Sequence, residues 1–191
     1  AKESIYKKEE IIITEGYLDV IMLHQAGFTN AVATLGTALT KEHLPLLSKG
    51  NPKIIVAYDG DNAGMNAAFK AASLLSLAKK EGGVVLFDGG LDPADMVKNG
   101  EIERLKELFV SPIPLIDFVL EEMIKKYDIT NPVQKDKCLQ EVLEYLHQFS
   151  AVIQEEYKGF LAQKLKLPSH LIKTQKYNEA KIVKNQGDIY D

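Results

Sequence analysis

A single cysteine among 191 residues cannot form an internal disulfide, and no CxxC pair exists to hold zinc. A disulfide scaffold and a cysteine-built zinc site are therefore excluded within this chain, and a reducing, intracellular setting fits. No apolar run approaches the ~18 residues of a membrane-spanning helix. The opening AKESIYKKEE carries no hydrophobic stretch of signal-peptide type, so neither a membrane span nor secretion is indicated. It also lacks an initiator Met, so a segment cut from a longer protein is expected. Basic residues are not in excess: 23 against 27 acidic ones give a net charge of −4, so no global positive field draws the chain onto a polyanion. No GxGxxG or Walker loop follows a strand, and no HExxH pairs the histidines. Aromatics are few at 8%, yet 46% hydrophobic residues with 26% charged suffice for one or two globular domains, not a disordered or fibrous chain.

What is present is an alternation of short β-rich runs with helical patterns over the first hundred residues, the mark of an α/β domain with a largely parallel sheet. Four strands are predicted, at Ile11 to Thr14, Ala31 to Ala33, Lys53 to Tyr58 and Val84 to Phe87. Helices are expected from Gly16 to about Ala26, from a Thr40 N-cap to about Gly50, and from Asn62 to Lys80, where Gly82-Gly83 would supply the stop. In the last of these, Met65, Phe69, Ala72 and Leu75 recur at helical spacing. After about Leu91 the pattern becomes helical only, punctuated by Pro112, Pro114, Pro132 and Pro168. Its stripes are Ile116, Val119, Met123 and Tyr127; then Cys138, Val142, Tyr145 and Phe149, widened by Leu139, Leu143 and Leu146; then Ile153, Tyr157, Phe160 and Leu161. The expected organisation is an α/β unit over residues 1–100, an all-α subdomain over 101–178, and a polar tail over 179–191 that reads as frayed or disordered.

In open α/β sheets, function collects where the carboxyl ends of parallel strands meet the following loops. Three of those ends are acidic here. Strand one runs into Glu15-Gly16, strand three into Asp59-Gly60-Asp61, and strand four is followed by Asp88 and then Asp92-Pro93-Ala94-Asp95. Asp19 falls in the first turn of the helix leaving strand one, where a carboxylate suits the helix dipole. So many carboxylates on one sheet edge repel unless cations neutralise them, and hard oxygen ligands select Mg²⁺, Mn²⁺ or Ca²⁺ over zinc. A metal pair roughly 4 Å apart is the usual arrangement for in-line displacement at phosphorus.

Other readings of these letters are weaker. An EF-hand loop starting at Asp59 would need a bidentate Glu at its twelfth position, where Lys70 stands. A haloacid-dehalogenase-type DxDx(T/V) motif lacks its fifth residue, since Ala63 occupies it. Asp-Gly is also a common turn dipeptide, but three acidic strand ends together outweigh that reading. His24, His43, His147 and His170 read as structural or solvated, Cys138 as a core residue, Tyr145 and Phe149 as packing, and Lys41 and Lys53 as solvated lysines.

Glu15-Gly16 with Asp19, followed by Asp59-x-Asp61, resembles the TOPRIM signature shared by primases, type IA and type II topoisomerases, and some nucleases and recombination proteins. The stretch EGYLDVIMLHQAGFTNAVATLGTALTKEH, with YDGDNAGMNAA and DGGLDPADMV, is similar to the catalytic core of bacterial DnaG-type primases. The similarity is dense over residues 11 to about 100, and the helical remainder resembles the C-terminal helical subdomain of the primase polymerase region. The resemblance implies a TOPRIM fold followed by a helical subdomain, and RNA-primer synthesis on single-stranded DNA from ribonucleoside triphosphates. It further implies catalytic roles for Glu15, Asp59 and Asp61, and a metal-ligand set of Glu15, Asp19, Asp59, Asp61, Asp92 and Asp95 with Mg²⁺ or Mn²⁺ as cofactor. Relatives commonly read Asp-Pro-Asp where this chain has Asp92-Pro93-Ala94-Asp95, which displaces the second acid by one position. Zinc, and contacts with replicative helicase and single-strand-binding protein, are expected in parts not in this chain. The resemblance places the protein in the bacterial cytoplasm at the replisome, with the fragment alone weak or inactive. A TOPRIM nuclease or topoisomerase piece, or a non-catalytic TOPRIM binding module, is the alternative.

Overall fold

The computed structural model describes residues 1–175, so the 179–191 tail lies outside the described residues. The chain divides into two compact units, Ala1–Glu121 and the part from Glu122 onward.

The first unit is built on a five-stranded sheet. A short helix α1 (Lys2–Lys8) precedes β1 (Glu10–Thr14), α2 (Tyr17–Gln25) and β2 (Ala31–Ala33). A 3-10 turn and the one-turn helix α3 (Leu44–Leu47) lead to β3 (Lys53–Val56), α4 (Asn62–Leu77) and β4 (Gly82–Val84). After a 3-10 turn at Asp88–Gly90 come α5 (Pro93–Lys98), α6 (Ile102–Val110), β5 (Ile113–Pro114) and the start of α7 (Leu115–Lys125). Strand order is β2-β1-β3-β4-β5, with the first four parallel and β5 antiparallel to β4. Unbroken Ile and Val runs at 11–13 and 54–56 bury these central strands on both faces, as helix-covered parallel strands require.

Several sequence expectations are corrected. The strands do not end at residue 87: Ile113–Pro114 adds an edge strand, and Pro114 is tolerated there because an edge position need not donate to a further ladder. The fourth strand lies at Gly82–Val84 instead of Val84 to Phe87, so the glycine pair is strand, not helix stop. A Cβ at Gly82 would collide with the Ile54 carbonyl and one at Gly83 with that of Ile113, so close strand approach selects glycine. Helix α4 instead ends at Leu77, and Lys79 takes the left-handed conformation that reverses the chain. The helix expected over 40–50 is broken into a 3-10 turn and a four-residue α3, with Pro45 near the start of the latter.

Residues 101–121, grouped with the helical part on sequence grounds, lie in the first unit. The physical reason is apolar: Leu105 and Phe109 of α6 join Ile12, Leu23, Ile55, Val85 and Met96 in one buried cluster. Phe109 stands edge-on to Phe28 at 5.0 Å between ring centroids.

The second unit contains α8 (Pro132–Leu146) and α9 (Ala151–Leu165). Asn131 caps α8 through Val133 N–H and Gln134 N–H, and Ser150 accepts from Ile153 N–H at the head of α9. Cys138, Val142, Tyr145, Leu146 and Phe149 are buried as the stripe predicts. The α9 stripe is corrected: Gln154, Leu161 and Leu165 are its buried residues, while Ile153, Tyr157 and Phe160 are half-covered. Gln154 is tolerated inside because its amide is fully used. It donates to the Phe149 and Gln175 carbonyls at 2.8 and 3.1 Å and accepts from Gln175 N–H at 2.9 Å.

Candidate metal and nucleotide site

The order β2-β1-β3-β4 reverses direction between β1 and β3, and loops leaving that point open a crevice at their carboxyl ends. Glu15 follows β1 and Asp59 lies three residues beyond β3, on neighbouring strands. They are tied directly, because the Asp59 backbone N–H donates to Glu15 Oε2 at 3.2 Å. Thr14, wholly buried, has its hydroxyl 3.3 Å from the carbonyls of both Gly16 and Val32, which anchors the turn carrying Glu15 to the next strand.

Asp19 is only 6% exposed, and both its oxygens are engaged. Gly16 N–H donates to one and Ala94 N–H to the other, each at 3.2 Å. One side chain thus pins the loop after β1 to the start of α5. Gly60 completes the assembly from the other side: its N–H donates to the Leu91 carbonyl at 2.9 Å, and a Cβ there would strike the Phe87 carbonyl. These two links bring the Asp59 turn and the Asp92 turn together. Asp19, Asp59 and Asp92 each offer a carboxylate oxygen, all within 4.8 Å of one another.

Such crowding has an electrostatic cost. Burial, and then the charges of Glu15, Asp19 and Asp92, push the Asp59 carboxyl up to about 7. Asp19 is also raised, by burial first and Asp92 next, against the lowering effect of its two backbone donors. Asp59 Oδ1 is moreover buried without a hydrogen-bond partner. An unpaired buried carboxylate oxygen beside two further carboxylates fits a hard divalent cation, which supplies the missing charge and the missing contact together.

The other predicted acids take different positions. Asp61, exposed, caps α4 by accepting from Gly64 N–H at 2.7 Å. Asp92 and Asp95 form a reciprocal capping box on α5: Asp95 N–H donates to Asp92 Oδ1 at 2.7 Å and Asp92 N–H to Asp95 Oδ2 at 3.4 Å. Glu15, Asp61 and Asp95 therefore stand outside the three-oxygen cluster, although Glu15 adjoins it. Asp88 is exposed and paired with Arg104 at 2.6 Å. His24 and His147 are occupied with the Ala31 and Lys173 carbonyls, at 3.0 and 2.9 Å.

Beside the cluster lies a cleft of about 460 Å³ lined by Glu15, Asp19, Thr34, Tyr58, Asp59 and Lys70, among others. Lys53, exposed as a solvated lysine should be, opens β3 at the opposite end of the sheet from the acids. Lys70 of α4 lines the cleft instead. Sequence reasoning passed over it because it reads as an ordinary exposed helical lysine. No signal in the sequence marks it, because only the packing of α4 beside the strand ends brings it to the cleft.

Residues 9–87 match the family model of the Toprim domain, and residues 116–170 match that of the DnaB-helicase binding domain of primase. The chain is 55% identical over 172 residues to the DNA primase of Helicobacter pylori (strain ATCC 700392 / 26695), covering 90% of this chain and 31% of that protein. The chain belongs to the DnaG-type DNA primases. Among solved primase structures, the zinc-binding and RNA polymerase domains of Aquifex aeolicus primase superpose with a TM-score of 0.68 at 34% identity, over 90% of this chain and 41% of that one. A DnaG primase catalytic domain bound to single-stranded DNA gives 0.74 at 26% identity, over 88% and 56%. This primase chain thus spans about a third of the length of the curated relative named above. Sequence reasoning put helicase contact wholly outside the chain; the match over 116–170 is a correction, since it places a segment of the primase helicase-binding family inside it. A helical pattern alone carries no mark of a partner, and the resemblance of that segment is to the helical subdomain of the polymerase region. Among the described residues no helix is long and apolar enough to cross a membrane.

Proposed function

We propose that this chain carries the cation- and nucleotide-binding part of a primase that extends RNA primers on a single-stranded DNA template from ribonucleoside triphosphates. The observation that carries the reading is the Asp19, Asp59 and Asp92 cluster with its unpaired Asp59 Oδ1. We assign Mg²⁺, or Mn²⁺ in its place, to these three carboxylates, with Glu15, Asp61 and Asp95 as further acidic participants at the same strand ends. When bound, the divalent ion would neutralise the triphosphate and polarise its reacting phosphorus.

The chain's own residues then hold the reaction's geometry. Asp19 locks the turn after β1 to α5, Gly60 locks the turn after β3 to the 87–91 loop, and Glu15 fixes the Asp59 backbone. In the reaction the primer 3′ oxygen forms a bond to the α-phosphorus, the bond to the bridging oxygen breaks, and pyrophosphate leaves with those electrons. The hydroxyl proton would pass to one of the acids at the strand ends. Residues 116–170 would meet the replicative helicase, and the full protein would work in the cytoplasm at the replisome, without a membrane partner. The segment alone is expected to be weak or inactive, because its net charge of −4 offers no general hold on a template. A nuclease or topoisomerase role has no separate observation in its favour.

The test is Asp59→Asn in the full-length enzyme. Metal-dependent primer synthesis should be lost while thermal melting stays close to wild type; near-normal synthesis would sink the reading. Supercoiled plasmid incubated in parallel would be relaxed or cut only if the nuclease or topoisomerase alternative held.

A further inference from the structure

The cleft beside the acidic cluster holds two polar groups that the metal reading leaves unused. Tyr58 is only 4% exposed, and its hydroxyl is buried without a hydrogen-bond partner. The Thr34 side chain lies near it but forms no hydrogen bond with it. Lys70 lines the same cleft from α4, and among the described residues no carboxylate forms an ion pair with it. The other hydroxyls nearby face carbonyls already: Thr34 that of Thr14 at 3.5 Å, Thr37 that of Thr34 at 2.7 Å. A buried phenol left unpaired costs free energy that an incoming acceptor recovers.

We propose that Tyr58 and Lys70 are the anion-positioning residues of this cleft. They donate to the outer phosphate oxygens of a nucleoside triphosphate whose divalent cation rests on Asp19, Asp59 and Asp92. The assignment rests on the function proposed above and deepens it. Glu15 and Asp59 on the same wall repel a bare anion, so the cleft accepts a polyphosphate only together with its cation. A terminal phosphate suits the arrangement better than a phosphodiester strand. It carries more charge and three non-bridging oxygens, enough to meet cation, ammonium and phenol at once, whereas a diester offers two.

The test uses the chain itself in three calorimetric titrations: MgCl₂ alone, tripolyphosphate with saturating Mg²⁺, and a single-stranded oligodeoxythymidine with saturating Mg²⁺. Tyr58→Phe keeps the ring packing and removes only the hydroxyl; Lys70→Ala removes the ammonium. Each should raise the Kd for magnesium tripolyphosphate about tenfold, the usual scale for a hydrogen bond to a charged group, and leave the Kd for Mg²⁺ alone within about twofold. Lys70→Arg should recover most of the loss. Wild-type binding that both variants leave untouched would overturn the assignment and leave the metal reading standing. A loss confined to the oligonucleotide would also overturn it, in favour of a backbone-phosphate role. If wild type binds Mg²⁺ but no magnesium tripolyphosphate, the assignment falls alone; if it binds neither, both readings fall.

Discussion

Protons and divalent cations should compete for Asp59, and the competition has a calculable size. With its carboxyl pushed up to about 7, this group must lose a proton before its oxygen can serve as a ligand. For a single group the apparent affinity falls by a factor of 1 + 10^(pKa − pH), which is about 11 at pH 6, about 2 at pH 7 and about 1.1 at pH 8. Mg²⁺ binding should therefore strengthen roughly tenfold from pH 6 to pH 8 and level off above that. Asp19, also raised, can only steepen the rise. Binding should release protons as well, about 0.9 per Mg²⁺ at pH 6 and about 0.5 at pH 7 from Asp59 alone, measurable by calorimetry in buffers of different ionisation enthalpy. The sign for stability follows from the same linkage. Between the ordinary Asp value and about 7 the metal-free folded chain binds more protons than the unfolded one, so its stability falls as pH rises through that window. Added Mg²⁺ should thus raise the melting temperature more at pH 8 than at pH 6. A flat affinity between pH 6 and pH 8, or an unchanged pH slope in Asp59→Asn, would refute the reasoning.

Two further substitutions probe the scaffold. Gly60→Ala forces a Cβ against the Phe87 carbonyl and should cost about 1 to 3 kcal/mol, with weaker Mg²⁺ binding as the Asp59 and Asp92 turns part; equilibrium denaturation and a Mg²⁺ titration check both. Gln154→Leu leaves the Phe149 carbonyl and both main-chain groups of Gln175 without their partner and should cost about 1 to 3 kcal/mol, with faster hydrogen exchange at the Gln175 amide.

The acidic strand ends were legible because period and composition mark where a buried parallel strand stops, and Glu15, Asp59 and Asp92 follow such stops. The small edge strand was not legible, because two residues, one of them proline, carry no periodic signal, and only the ladder with β4 makes them a strand. Gly82-Gly83 misled for a related reason: the same dipeptide ends helices and admits close strands, and the collision with the Ile54 carbonyl that decides between them is a contact 28 residues away in sequence. Lys70 and the partnerless Tyr58 hydroxyl were hidden in the same way, since neither residue type is unusual where it stands.

By itself the sequence determined the α/β class, the parallel central strands, the order of acidic loops and the resemblance that places this chain among the primases. These follow from local pattern, composition and motif, which need no knowledge of distant neighbours. Only the tertiary structure decided which acids converge. Asp19, Asp59 and Asp92 share one small volume because two backbone links, Ala94 to Asp19 and Gly60 to Leu91, draw separate turns together, while Asp61 and Asp95 cap their helices outside that volume. Convergence of that kind is a property of long-range contacts, and so is the raised carboxyl at Asp59 that follows from it.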